Sequence, residues 1–147
     1  MIMQRKKGFT LIEILVVCAI IAILAGAVVA ATGPSRAKAR DSRRLSDMTQ
    51  IRTVLESYFA EQPRTNASYP AQTTLEAFNS SVVDALTPEH IAAMPADPNS
   101  VTPYLYKTVD NGKGYCLAAQ LEVTNSVSIP HDTTCGAPTD YNYVFRR

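Results

Sequence analysis

Residues 6–32 read KKGFTLIEILVVCAIIAILAGAVVAAT, and this stretch decides the fold of the 147-residue chain. Two lysines precede Gly8 and Phe9, and the apolar run that follows is broken only by Glu13. From Ile14 to Ala31 no residue carries a charge, a run of 18 positions. That is the length at which an apolar stretch is read as membrane-spanning rather than as a buried core helix. In lipid such a stretch must be helical, because only then is every backbone polar group satisfied internally. From Phe9 to Thr32 the helix would be about 36 Å long at roughly 1.5 Å per residue, enough to cross with some tilt. Glu13 is the informative residue. A carboxylate at the centre of a spanning helix costs about 2.5–3.5 kcal/mol on insertion scales, which makes it a functional candidate. The plainer reading places it near the helix end, reaching the headgroups and favoured by the positive pole of the helix dipole.

The hexapeptide Gly8-Phe9-Thr10-Leu11-Ile12-Glu13, after Arg5-Lys6-Lys7 and before the apolar run, resembles the class III signal of the type IV pilin and pseudopilin superfamily. The likeness is specific over the N-terminal helix and loose over the rest. It implies that residues 1–8 are a leader, that a membrane peptidase cuts between Gly8 and Phe9, and that the same enzyme N-methylates Phe9. It also implies that Glu13 pairs with the first amine of a neighbouring subunit in a filament. Both charges then lie in an apolar surround, so each is costly alone and their match sets the register between subunits. Two other readings compete. Ala25-Gly26-Ala27 resembles the cleavage site of an ordinary secretory signal, but the apolar region of such a signal runs about 7–15 residues without an acid. The second is a plain anchor carrying a binding module or enzyme, with no partner for Glu13.

The formal net charge of +1 hides an asymmetry. Without the leader the side chains sum to −2; Arg36, Lys38, Arg40, Arg43, Arg44 and Arg52 against Asp41 and Asp47 give a local +4, and the residues beyond Arg52 give −5. This belt fits anionic headgroups, at about 1 kcal/mol per basic residue, or the acidic heads of neighbouring subunits. For any single residue a solvated helix face is the simpler account. Nucleic acid ranks low, because the mature chain is slightly acidic and the belt has no interleaved aromatics. Both flanks of the span are basic, so charge does not orient it; the resemblance puts the leader inside and the head outside.

Beyond the span the helix is expected to continue, with a kink or melted turn at Gly33-Pro34. Leu45, Met48, Ile51, Val54, Leu55, Tyr58 and Phe59 then recur at three- and four-residue spacing as one apolar stripe. Asp41 and Arg44 form a helical-spacing pair that adds a little, and Gln62-Pro63 ends the helix. Residues 64–73 read as a loop. A helix opened by Thr74 is expected to carry Leu75, Phe78, Val82, Val83 and Leu86. A second short helix should be capped by Thr87, start at Pro88 and stop at Pro95. Residues 103–109 and 115–123 read as strands joined by the turn Asp110-Asn111-Gly112-Lys113-Gly114, and residues 141–145 as a third strand. The fold class is α+β, divided into leader 1–8, span 9–32, amphipathic helix 33–62 and head 63–147.

Of the three cysteines, Cys18 lies in the span as a small apolar residue. Cys116 and Cys135 lie in the exported head, where an oxidising compartment favours a bridge; two free thiols are the alternative. His90 and His131 stand apart as surface residues, and no catalytic signature is present in the sequence. The resemblance raises calcium, and Asp97, Asn99, Asp110, Asn111 and Asp132 are loop oxygen donors, yet they form no ordered calcium-loop pattern. Turn chemistry explains them equally, so no cofactor is assigned. The expectation is a non-catalytic filament subunit, held in the cytoplasmic membrane with its head outside. Its expected partners are further copies of itself, minor pilins, the peptidase and methyltransferase, and an ATPase-driven assembly platform. Pilus and secretion or competence pseudopilus remain open.

Overall fold

A computed structural model describes residues 8–123 and 131–147 of the chain. The basic leader residues Arg5, Lys6 and Lys7, and part of the connection before the last strand, lie outside the described residues. The longest element is α1 (Leu11–Glu61), 51 residues of α-helix. Spatial contacts divide the chain into two units, Met1–Arg36 and Ala37–Arg147.

In the first unit every described side chain from Gly8 to Val29 is exposed. Phe9 is 81% exposed, Leu11 83% and Ile23 73%, so nothing in this unit covers them. A contiguous apolar surface of this size marks an interaction site, with lipid or with protein. The helix passes Pro34 without ending there, and no melted turn forms. Pro34 has no N–H to give the preceding turn. Just before it, the Thr32 hydroxyl donates to the Val28 and Val29 carbonyls at 3.2 and 2.8 Å.

The second unit is built on the C-terminal half of α1. A four-stranded antiparallel sheet, in chain order β1 (Glu76–Ala77), β2 (Leu105–Val109), β3 (Gly114–Ala119) and β4 (Tyr143–Arg146), packs against it. Strand alternation sends Tyr115, Leu117 and Ala119 to the helix side, where they meet Met48, Ile51, Val54 and Leu55 of the expected stripe. The intervening Cys116 and Ala118 join Leu105, Cys135, Tyr141 and Val144 in a second core on the other face. All six residues of β3 are buried. The β2–β3 turn forms where expected, with positive φ at Asp110, Asn111 and Gly112. A side chain at Gly114 would collide with the Arg147 carbonyl at 2.6 Å, so β3 needs glycine where the chain's last residue crosses it.

Three sequence expectations are corrected. The helix predicted from Thr74 begins at Ser80, so that α2 is Ser80–Leu86, with Asn79 as its cap accepting from the Val82 N–H at 2.9 Å. Leu75 and Phe78 lie outside it, and Glu76–Ala77 forms the edge strand β1 instead. The cause is Gln72, nearly buried, whose amide nitrogen donates to the carbonyls of Thr74, Glu76, Ala77 and Tyr106 and whose oxygen accepts from Asn79. Those bonds take backbone groups that a helix would pair internally. Residues 87–94 form turns rather than a second short helix. Thr87 is extended (φ −113°, ψ 144°) and ends α2 instead of capping a new helix, as expected of a residue before proline. Pairing also ends sooner than expected, at Ala119 rather than Val123.

Candidate functional site

Among the described residues, two places gather candidate functional side chains: the start of α1 and the flank of its second half. At the first, Gly8 and Phe9 are exposed and precede the helix. The Glu13 N–H donates to the Thr10 hydroxyl at 3.3 Å, and Glu13 Oε2 accepts from the Thr10 N–H at 3.5 Å. This reciprocal arrangement is a capping box. Its Thr-x-x-Glu spacing was readable in the sequence, but the Glu13 reading there rested on its charge and on the signal resemblance and gave Thr10 no role. The box holds the carboxylate beside the first turn, four residues from Phe9. An acid there suits the positive helix pole.

At the second place the structure overturns the solvated-face reading for Arg44 and its partners, while Arg36, Lys38 and Arg43 are exposed as that reading has it. Arg44 is 2% exposed, and Asp41 and Asp47 are buried with it. The Arg44 guanidinium donates to Asp97 at 2.5 and 3.2 Å, to Asp41 at 2.7 Å and to Glu122 at 2.8 Å. Arg40 adds a two-pronged pairing with Glu122, its Nε lying 2.8 Å from Oε1. Asp41 also accepts from the Glu122 and Val123 N–H groups at 3.0 and 2.8 Å. Asp97 accepts from the Asn99 N–H at 2.8 Å, and the Asn99 side chain donates to Glu122 at 3.0 Å. Nearby, the Tyr104 hydroxyl donates to Asp47 at 2.8 Å. One helical turn thus clasps the 97–99 loop and the 121–123 segment. The Asp41–Arg44 pair is no surface pair of small effect; it is the base of a buried network. Arg52 is drawn inward too, its guanidinium 3.8 Å from the Phe145 ring centre.

The network shifts its own titrations. Hydrogen bonds from Arg40, then Arg44, pull the Glu122 carboxyl down to about 2. Burial pushes Asp97 up, but Arg44 and the Asn99 N–H outweigh it and hold the carboxyl below its ordinary range. Bonding to Asp97 above all raises the Arg44 guanidinium. Burial, then Asp47, raises the Tyr104 phenol. Both carboxyls therefore bind protons less readily folded than unfolded, where they titrate near about 3.9 and 4.3. Their stabilisation is fully present above about pH 5 and is lost as pH falls toward 2. The melting temperature, followed by tyrosine near-UV circular dichroism, should fall steadily from pH 5 to pH 3. Glu122→Gln should flatten that slope; a melting temperature unchanged down to pH 3 would contradict the clasp.

The other predicted residues are placed as follows. Cys116 and Cys135 are joined by a disulfide, with Cα atoms 5.9 Å apart, and Cys18 is free and exposed. Of the loop oxygen donors, Asp97 and Asn99 belong to the clasp. Asp110 pairs with Arg146 at 3.1 Å, and Asp132 caps a 3-10 turn (Thr133–Cys135) by accepting from Thr134. Asn111 sits in the β2–β3 turn. Among the described residues, no three His, Cys, Asp or Glu are grouped to hold a metal ion. His131 is exposed as expected, whereas the His90 side chain is only 6% exposed, packed on the Tyr58 ring and 3.6 Å from Glu61. Its apolar neighbours lie on α1, distant in sequence, which is why it read as a surface residue.

A long apolar helix led by Gly-Phe and a capped Glu, carrying a small antiparallel sheet on its second half, is an α+β, pilin-like fold. Residues 3–29 match the family described as the prokaryotic N-terminal methylation motif. The chain is similar to the type II secretion system core protein G of Klebsiella pneumoniae, at 37% identity over 68 residues, covering 46% of each. It is also similar to the core protein G of Dickeya chrysanthemi, at 32% identity over 94 residues, covering 64% of this chain and 58% of that one. The chain thus spans about half the length of the curated relatives it matches. No solved structure matches it.

Proposed function

We propose that this chain is a structural subunit of a pseudopilus of the type II secretion kind, with no catalytic activity of its own. The observation that carries this reading is the start of α1: a cleavage-type Gly8-Phe9 junction, a capped Glu13 and an apolar helix with its side chains exposed. Membrane peptidase action frees the Phe9 amine and methylates it. The processed subunit waits in the cytoplasmic membrane, single-pass, with the head outside. An ATPase-driven platform then draws it into a helical polymer, in which protein contacts replace lipid around residues 9–32. Glu13 neutralises the amine of a neighbour as that exchange occurs; each charge left alone in an apolar core is strongly unfavourable. The relatives' printed names support a secretion pseudopilus over an adhesive pilus.

Glu13→Ala tests the reading. Expressed with a pseudopilus assembly machinery, it should leave the protein membrane-anchored at wild-type abundance and abolish filaments in the sheared fraction. Undiminished filaments from this variant would sink the assembly role of Glu13. A wild-type chain that never leaves the membrane fraction would favour the other reading, an anchored binding module or enzyme.

A further inference from the structure

Resting on the filament reading above, the structure assigns a second contact between copies: the acidic far end of one subunit docks on Lys38 and Arg43 of another. Burial sorts the cations of the belt into two sets. Arg44 and Arg40 are committed to Asp41, Asp97 and Glu122, and Arg52 lies over Phe145. Lys38 and Arg43 remain exposed in the second unit, as does Arg36 in the first. The acids of this helical stretch, Asp41 and Asp47, are buried and engaged, so the exposed face of this turn of α1 is left positive.

The opposite charge gathers where α1 ends. Glu61 has 65% of its side chain exposed and faces His90. Glu89, next to His90, and Asp84 on α2 are exposed as well. The cations here are Arg64, Arg147 and Lys113; Arg147 is paired with Glu56 and Lys113 donates to the Ala67 carbonyl. With the Arg147–Glu56 pair set aside, three exposed acids face two exposed bases. Along α1 the two ends are about 27–35 Å apart at roughly 1.5 Å per residue. That is several times the Debye length of about 8 Å, so the ends of one subunit cannot neutralise each other. Stacking copies with an axial stagger brings the negative end of one against the positive turn of the next. The contact joins different patches, as a polymer requires and a closed pair does not. Complementary charge of this kind fixes register and rejects wrong staggers more than it adds affinity.

A zero-length carbodiimide tests the contact in filaments of the full chain, because it joins an amine to a carboxylate only when the two touch. The expected product is a cross-linked dimer in which mass spectrometry finds Lys38 bonded to Glu61, Asp84 or Glu89. The double reversal Lys38→Glu with Arg43→Glu should lower filament yield at least about tenfold, since like charges then meet. Adding Glu61→Lys and Glu89→Lys should restore it. Filaments without a Lys38 cross-link, or a double reversal that assembles normally, overturn the contact while leaving the filament reading intact. So does a reversal whose loss is confined to flotation with phosphatidylglycerol vesicles, which would make Lys38 and Arg43 a lipid contact. A reversal that the second pair of changes fails to restore also overturns it. A wild-type chain giving neither filaments nor dimers overturns both readings.

Discussion

Arg44→Ala should destabilise the head by about 3–5 kcal/mol, the cost of removing one partner from a buried ionic network. Three carboxylates, those of Asp41, Asp97 and Glu122, converge on this one guanidinium, and the Asp97 side chain is only 2% exposed. Without the cation, Asp41 and Asp97 are two buried carboxylates left without their shared counter-charge. They must then protonate, draw in water or push the 97–99 loop away, and each route costs stability. Loss of the loop also loosens Glu122, whose other cation is Arg40. Urea unfolding of the full chain in detergent micelles, followed by tyrosine fluorescence, measures the cost. Arg43→Ala, one residue earlier and exposed, is the control and should stay within about 0.5 kcal/mol of wild type. An Arg44→Ala midpoint no lower than that of the control would mean the network is not what holds these loops.

Breaking the disulfide should have the next largest effect. The bond joins residues 19 apart in sequence, and closing a loop of that size is worth about 3 kcal/mol on the chain-entropy model. Both cysteines are fully buried, so their serine replacements also leave hydroxyls in an apolar core. Cys116 sits opposite Arg146 in the β3–β4 ladder, while Cys135 closes the turn that Asp132 caps. The bond therefore ties that turn to the centre of the sheet. Cys116→Ser with Cys135→Ser should lower the urea midpoint, and dithiothreitol should do the same to wild type but not to the double variant. A midpoint unmoved by reductant would show that the bridge constrains nothing the fold does not already hold.

What the sequence disclosed follows from how locally each feature is encoded. The α1 stripe, the β2–β3 turn and the Gly8-Phe9-Glu13 signal each lie within one contiguous stretch, and a periodicity or turn composition reports them directly. The cysteine pairing was open between a bridge and two thiols until β3 and the 3-10 turn were seen to bring Cys116 and Cys135 together. Arg44 was misread because its partners stand 53 and 78 residues away. Nothing at positions 40–44 distinguishes an arginine bound by distant acids from one in water. Gln72 was missed for the same reason: one buried amide, bonding five backbone groups, replaced an expected helix by strand β1. A glutamine in a loop carries no local sign of that role. Within the N-terminal site, Thr10 was legible in principle, since the capping-box spacing is local, but the reading went to the Gly8-Phe9 junction and the charge of Glu13.

The proposed role of Glu13 requires a free, methylated Phe9 amine, so the state of the N-terminus is its most direct test. Mass spectrometry of the N-terminal peptide from membrane-extracted protein should find a chain that begins at Phe9 and carries an N-methyl group. A chain that still begins at Met1, or one cut beyond Ala27, would contradict it.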